Sequence, residues 1–305
     1  MNVMKFSFAA SCLCLASLAW AQQPTGVPEN ATQKVSDHVY AIIGFPNVVI
    51  VTGTSATLVV DSGMGPSNGA VIVKEVEKLA KGKPIYLMTT HFHPEHATGD
   101  QAFPAGTTLI RSATQQKEMD EHGLEFIERF KGFNATYRDQ LKDVKLRKPD
   151  VIYDKEKTLD LGGGVKARLF WGGISAHTKG DEFAFIEPDK ALISGDIVQN
   201  KLVPNLPTGD SSFNGWLELL DKLAPLKPRY VLPDHGTLGD GSLIAQQKAF
   251  MVDLRDSALA LKKQGVPADE AGKKLQADFQ KKYSDWNTSF NNISNITKTI
   301  YGEAK

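Results

Sequence analysis

Three of the seven histidines fall within six residues, in Thr90-His91-Phe92-His93-Pro94-Glu95-His96-Ala97-Thr98-Gly99-Asp100. The run before them, Pro84-Ile85-Tyr86-Leu87-Met88-Thr89, is short and mostly apolar and reads as a buried strand. The histidines therefore sit where a strand ends and a loop begins. In α/β folds, ligands gather at the carboxyl ends of strands. His91 and His93 are two apart and can point the same way from an extended turn, with Glu95 and His96 on its other side. Imidazole suits Zn, Fe, Cu and Ni, and a carboxylate among imidazoles widens the choice. The spacing suits two adjacent metal sites better than one. The competing reading, a cluster of surface histidines, is weakened because His is scarce elsewhere and dense here.

Around this loop the pattern alternates strands and helices. Val35–Gly44, Val48–Thr52 and Ala56–Asp61 read as strands, and Leu58-Val59-Val60 is a continuous apolar run. Residues 67–81 read as a helix with Ile72, Val76 and Leu79 on one face. Thr107–Ile110 is another strand. Residues 113–145 are charged and helical, broken near Gly132-Phe133-Asn134, with Leu124, Ile127 and Phe130 recurring every three residues as a core face or an apolar lid. Strands return at 157–161, 165–171, 182–187 and 191–195. Phe213–Leu223 is a helix, and Tyr230-Val231-Leu232 a strand. From Ser242 on, Leu243, Phe250, Leu254 and Leu261, then Ala271, Leu275 and Phe279, then Phe290, Ile293, Ile296 and Ile300 mark three helices.

The amino terminus is of another kind. Lys5 is followed by an apolar stretch from Phe6 to Leu18 and by Ala19-Trp20-Ala21, an A-x-A cleavage pattern. Residues 1–21 read as a Sec-type signal peptide, with cleavage after Ala21 and a periplasmic or secreted product. A membrane anchor is the weaker reading, since a span needs about 20 apolar residues. Both cysteines, Cys12 and Cys14, lie in this segment, so the chain beyond it has no disulfide, thiolate ligand or thiol nucleophile. Residues 22–32 read as a linker, 33–240 as the main domain and 241–305 as a helical extension. Acidic and basic residues balance at 35 each, which offers nothing for a nucleic-acid partner. A small-molecule substrate is expected, with no stable membrane span after cleavage and no indication of oligomeric state.

The histidine stretch resembles the His-x-His-x-Asp-His signature of the metallo-β-lactamase superfamily. The resemblance continues at Asp61 in Val60-Asp61-Ser62-Gly63, His177 in Ala176-His177-Thr178, Asp196 in Ser194-Gly195-Asp196 and His235 in Pro233-Asp234-His235-Gly236. It implies an α/β fold, an αββα four-layer sandwich of two sheets packed face to face with helices outside. It also implies a site: His91, His93 and His177 for a first metal, Glu95, His96 and His235 for a second, and Asp196 bridging them. Zn²⁺ is the expected ion, one or two per chain, with Fe or Mn as alternatives. Asp61 would fix the orientation of a ligand, a turn aspartate being the competing reading. Glu95 departs from the pattern, standing where the family usually has Asp. That aspartate ligates the second metal and orients the bridging water, so Glu95 and Asp196 carry the catalytic expectation. The longer Glu side chain favours a full first site and a weaker second one.

Such ligands support an exported metallo-hydrolase in which a metal-bound hydroxide attacks a small ester, thioester or lactone. A β-lactam is the runner-up, through lactamases of the all-histidine type, although these typically lack an aspartate at the Asp196 position. A mono-iron sulfur dioxygenase and a metal-binding protein without turnover are further alternatives. No residue is assigned to substrate, although Lys201 and Asn205 follow the bridging aspartate, and Phe45 and Phe92 are candidates for an apolar rim. Ser175, Ser194 and Ser211 are expected in loops near the site, His122 on the surface, and His38 in a structural or exposed role.

Overall fold

The computed structural model describes residues 25–287 and 293–304. Residues 1–21, read above as a signal peptide, with both cysteines, and Phe290 lie outside the described residues. The first half runs β1 (Thr32–Lys34), β2 (Val39–Ile42), β3 (Val48–Thr52), β4 (Thr57–Val60), α1 (Gly65–Ala80), β5 (Ile85–Met88), the single-turn α2 (Pro94–Ala97), β6 (Thr108–Ser112), α3 (Ala113–Lys131), α4 (Ala135–Leu141) and β7 (Val151–Tyr153). The second half runs β8 (Glu156–Gly162), β9 (Val165–Trp171), β10 (Glu182–Glu187), β11 (Ala191–Gly195), α5 (Phe213–Leu223), β12 (Tyr230–Pro233), α6 (Ser242–Lys263), α7 (Ala268–Lys282) and α8 (Ile293–Glu303).

Strands β1 to β7 form one sheet in sequence order, and β12-β11-β10-β9-β8 form the other. Side chains alternate faces along a strand, and the packing follows that period. On β3 and β4, Ile50 and Val59 pack with Ile72 and Val76 of α1. Their neighbours Val49, Val51, Leu58 and Val60 pack against Leu161, Leu169, Ala184 and Ile193 of the second sheet. That sheet's other face, with Phe183, Phe185, Leu192 and Val231, is covered by Trp216 and Leu220 of α5, with α6, α7 and α8 in the same cluster. The four layers expected from the sequence are present. Burial on both faces is why β3 to β5 read as unbroken apolar runs rather than alternating ones.

Several boundaries differ. The expected strand 35–44 is shorter, β2 at 39–42, because Val35 N and Ser36 N hydrogen-bond the Val39 carbonyl in the turn that follows β1. Residues 25–31, read as a loose linker, are tied to α1 through Val27 N to Asn68 Oδ1 at 2.7 Å and Asn30 N to Glu75 Oε1 at 3.0 Å. Strand β7 was not expected. On α3, Leu124 is 67% exposed, whereas Phe126, Ile127 and Phe130 are buried. Ser194 is no loop residue: it is buried in β11 and donates to the Val198 carbonyl. His38 has a structural role, its Nδ1 lying 2.9 Å from Asp189 Oδ2. Among the described residues no helix is long and apolar enough to cross a membrane.

What positions the site is strand direction. β4 and β5 pair in parallel, as do β11 and β12. Parallel neighbours end at the same edge, so the residues after each pair leave the sheets together. Asp61 follows β4, His91 follows β5, Asp196 follows β11 and His235 follows β12.

Candidate metal centre

The loop after β4 and the loop after β5 are locked together. Ser62 donates its hydroxyl to the His96 carbonyl at 2.9 Å, and Gly99 N donates to Ser62 Oγ at 3.0 Å. A Cβ at Gly99 would sit 1.9 Å from the Ser62 carbonyl oxygen, so only glycine permits this approach. His93 precedes α2, and Pro94 opens it with a φ preset for the first helical turn. That turn carries Glu95 and His96 into the same cleft as His91 and His93.

Seven side chains converge. His91 Nε2 lies 3.0 Å from His93 Nδ1, and His177 Nε2 lies 3.3 Å from the same atom. Asp196 stands between the two halves, with Oδ2 3.3 Å from His177 Nε2 and Oδ1 3.5 Å from His235 Nε2. Glu95 Oε1 is 3.7 Å from His96 Nε2. Two ligand trios result, His91/His93/His177 and Glu95/His96/His235, each with donor atoms within 4.8 Å of one another. Zn–N bonds of about 2.0–2.1 Å in a tetrahedral shell separate ligand nitrogens by ~3.3 Å, close to the 3.0 and 3.3 Å from His93 Nδ1 to His91 Nε2 and His177 Nε2. Two donor atoms of the second trio, His96 Nε2 and Glu95 Oε2, are buried with no hydrogen-bond partner. Buried polar atoms are rarely left unsatisfied, and a cation at this point would satisfy both. The donor set therefore fits metal, and the longer Glu95 side chain stays within the cluster.

Neighbours set the ring orientations. The Asn205 carbonyl accepts from His177 Nδ1 at 2.8 Å, so that nitrogen carries the proton and Nε2 presents its lone pair to the cluster. Asp61, in the left-handed region at φ 70°, faces His96 Nδ1 through Oδ2 at 2.9 Å and accepts from Thr90 N at 2.7 Å. Thr90 Oγ1 donates to Asp234 Oδ2 at 2.6 Å. Gln199 Nε2 donates to Asp196 Oδ1 at 2.9 Å. Behind His177, Asp181 accepts from the His177 and Thr178 amides, and Glu118 from those of Lys179 and Gly180.

The electrostatics divide the histidines. Burial, reinforced by the neighbouring imidazoles, pushes His91 and His93 well below the usual histidine value, so both are neutral. Burial also lowers His96, but the charge and hydrogen bond of Asp61, with Asp234 behind, outweigh it and lift His96 to about 10. A ligand imidazole must give up that proton, so a cation here takes over a positive charge the two carboxylates already favour. Burial raises Glu95 to about 7. Burial and the adjacent Asp61 raise Asp234 well above the usual carboxylate range.

The cluster floors a cavity of about 270 Å³. His93, Glu95, Asp196 and His235 line its base, and Phe45, Phe126, Phe130, Phe133 and Tyr137 form its wall. Phe45 stacks on His235 with centroids 4.9 Å apart, and Phe126 on His93 at 4.8 Å. Of the two expected rim residues, Phe45 is in place. Phe92 is 1% exposed and lies behind the histidines against Phe126. Asn205 lines the cavity, whereas Lys201 turns away to pair with Asp285 at 2.6 Å. Ser211 donates to the His177 carbonyl and supports that loop. His122 is half-buried beside Glu121, Glu125 and Asp210. Sequence reasoning did not single out Thr90, Asp234, Gln199, Phe126 or Arg129. The first two adjoin motif histidines; the others carry no local signal.

An α/β sandwich of two sheets with a His/Asp cluster at the strand ends defines a class, and the chain belongs to it. The model of the metallo-beta-lactamase superfamily, a superfamily of metallo-hydrolases, matches residues 42–235, and the chain is a member of that superfamily. No curated protein sequence matches it. Among solved structures it is similar to a metallo-beta-lactamase from Pontibacter korlensis, at 19% identity and TM-score 0.60, over 73% of this chain and 98% of that one. It is similar to the DIM-1 metallo-beta-lactamase, at 18% identity and TM-score 0.58, over 74% of this chain and 99% of that one. It is also similar to the stereoselective inverting sec-alkylsulfatase Pisa1 from Pseudomonas sp., at 15% identity and TM-score 0.70. That match covers 89% of this chain but spans only 49% of the alkylsulfatase. At these identities the structural likeness is one of fold.

Proposed function

We propose that the protein is a metal-dependent hydrolase of small ester, thioester or lactone substrates, with Zn²⁺ as the working ion. The observation that carries this is the pair of adjoining ligand trios with Asp196 between them, under a small aromatic cavity. His91, His93 and His177 would hold one ion, Glu95, His96 and His235 a second, and Asp196 would reach both. Ions held there supply Lewis acidity, lowering the pKa of water and polarising a carbonyl. The chain's own residues do the rest. Asp61 and the Asn205 carbonyl fix the tautomers of His96 and His177. Gln199 holds the Asp196 carboxylate in place. Glu95 and Asp196 are the carboxylates at the cavity base, placed to orient an attacking water or take its proton. The aromatic wall excludes bulk water, which strengthens every charge interaction inside.

The test is elemental analysis of the dialysed protein alongside turnover of ester, thioester, lactone, β-lactam and alkyl sulfate substrates. About one tightly held metal per chain is expected, with activity rising on added Zn²⁺ because the second trio depends on the longer Glu95 side chain. Two equally tight metals would show that the loop compensates for that length. A kcat/KM for a cephalosporin or an alkyl sulfate far above every ester, thioester and lactone would overturn the substrate class. Export rests on residues 1–21 alone, and the exported chain is expected to begin at Gln22 by intact mass.

A further inference from the structure

We infer that Arg129 is a specificity residue, and that the substrate carries a carboxylate set apart from the bond that is cleaved. This deepens the hydrolase reading above and rests on it. Arg129 is the one arginine or lysine lining the cavity. Its guanidinium carbon lies 5.3 Å from the Phe126 ring centre, a cation–π contact, and Nη1 donates to the Pro207 carbonyl at 3.3 Å. Among the described residues no carboxylate pairs with it. A partner is at hand, since Glu125 is four residues earlier on the same helix, the spacing at which helical ion pairs form. Glu125 lies instead 4.0 Å from His122 Nδ1. The planar fork has five N–H donors, and a single neutral carbonyl uses one. Arg129 is an exposed residue of the cavity lining, so the donors it does not spend on the protein face solvent or substrate. A cation held by an aromatic face and a backbone oxygen, with donors left over, matches bidentate recognition of a carboxylate.

The geometry also sets an upper limit on the distance. His93 and Arg129 both lie against Phe126, at 4.8 and 5.3 Å from its centre, so about 10 Å is the furthest the guanidinium can be from the His93 ring. A glutaryl unit, four C–C bonds of ~1.5 Å, spans about 5 Å between its two carbonyl carbons and fits within that limit. Its methylenes would lie along the phenyl rings of the wall.

The test pairs 4-nitrophenyl pentanoate with mono-4-nitrophenyl glutarate on the metal-loaded protein, in wild type, Arg129→Met and Arg129→Lys. The wild type is expected to prefer the glutarate ester. Arg129→Met, which keeps the apolar stem, should cut the glutarate-to-pentanoate ratio of kcat/KM by roughly 10- to 100-fold, the range for a lost charged hydrogen bond. Most of the loss should fall on KM, and Arg129→Lys should lie between. A ratio unchanged in Arg129→Met overturns the assignment. Calorimetric binding of glutarate monoanilide against uncharged pentananilide reads the same ratio without turnover. Absence of turnover on every acyl substrate would therefore end the hydrolase reading, while the anilide pair still decides Arg129.

Discussion

The base and the wall of the cavity are built on different principles. Each imidazole at the base is oriented by a specific partner or packed against another ligand ring: Asp61 for His96, the Asn205 carbonyl for His177, and His91 wedged against His93 and His96. Apart from His177, on the loop between antiparallel β9 and β10, the imidazoles of the base follow the ends of parallel strand pairs, whose register is set by the two sheets. Apart from Phe45, on the loop between β2 and β3, the wall comes from α3, α4 and the turn between them, and it is held by ring contacts, Phe126 on Phe92 at 4.9 Å and Phe130 near Tyr137 at 6.2 Å. Directional bonds define positions to fractions of an ångström; ring packing defines a surface. The base is suited to holding ions in one arrangement, the wall to accepting substrates of varied shape. The difference makes expectations that can fail.

The largest expected effect is at the base. His93→Ala removes the imidazole whose Nδ1 lies closest to both His91 and His177. It should release the tightly held metal on dialysis and lower kcat/KM by more than about 100-fold, beyond the effect of losing a ligand's outer partner. Full metal content by elemental analysis would remove His93 from the ligand set. Next is Asp61→Asn, which leaves the ligands intact but removes the carboxylate behind His96. A loss of about 10- to 100-fold in metal affinity or activity is expected. A wild-type value by metal titration would make Asp61 a turn residue only.

The histidine cluster at the base stood out in the sequence, whereas the wall was legible only in part, at Phe45 and Phe130, for a physical reason. Metal chemistry needs particular residue types, and four of the candidate ligands follow one strand within six residues, so the histidine loop stands out from its surroundings. His177, Asp196 and His235 are scattered singly and became readable only through the family's pattern. Strands β8 to β11 were placed to within a residue because glycine turns and apolar runs bound them. The wall failed on periodicity. Leu124, Ile127 and Phe130 recur every three residues, but at 3.6 residues per turn that row drifts ~60° per step around the helix. The packed stripe instead holds Met119, Phe126, Ile127 and Phe130, and Leu124 falls outside it. Arg129 on a charged helix looks like any solvated arginine until the fold places Phe126 and Pro207 beside it. Strand β7, three residues on a sheet edge, is too short to leave a pattern.

At the wall the expected effect is on stability before catalysis. Phe130→Ala removes a buried ring, 8% exposed, that packs on Phe133 and Tyr137 and lies 6.4 Å from the His93 ring without taking part in the hydrogen bonds of the base. A loss of about 3–5 kcal/mol in chemical denaturation is expected, with metal content unchanged. Loss of metal together with stability would show that wall and base are one unit.

The smallest expected effect lies where base and wall join, at Glu182. Its backbone N–H donates to the Thr90 carbonyl at 2.7 Å, beside the histidines. Its side chain accepts from Ser112 N at 2.6 Å, the residue that caps the wall helix α3, and from the Tyr153 hydroxyl. Burial raises its carboxyl from 4.5 to about 7, against the pull of those two donors. The folded chain therefore holds this proton more tightly than the unfolded one. The associated stability is complete below pH 4.5, falls as the unfolded chain ionises, and is gone once pH passes about 7. Glu182→Gln cannot ionise and keeps an acceptor for Ser112 N. The melting temperature of the variant relative to wild type should rise between about pH 4.5 and 7 and then level off. The gain is on the order of 1–3 kcal/mol, a few degrees for a chain of this size. A difference that stays flat across that window would mean that Glu182 is already ionised in the fold. The junction would then be a charged clamp on the start of α3, and its loss should weaken wall and base together.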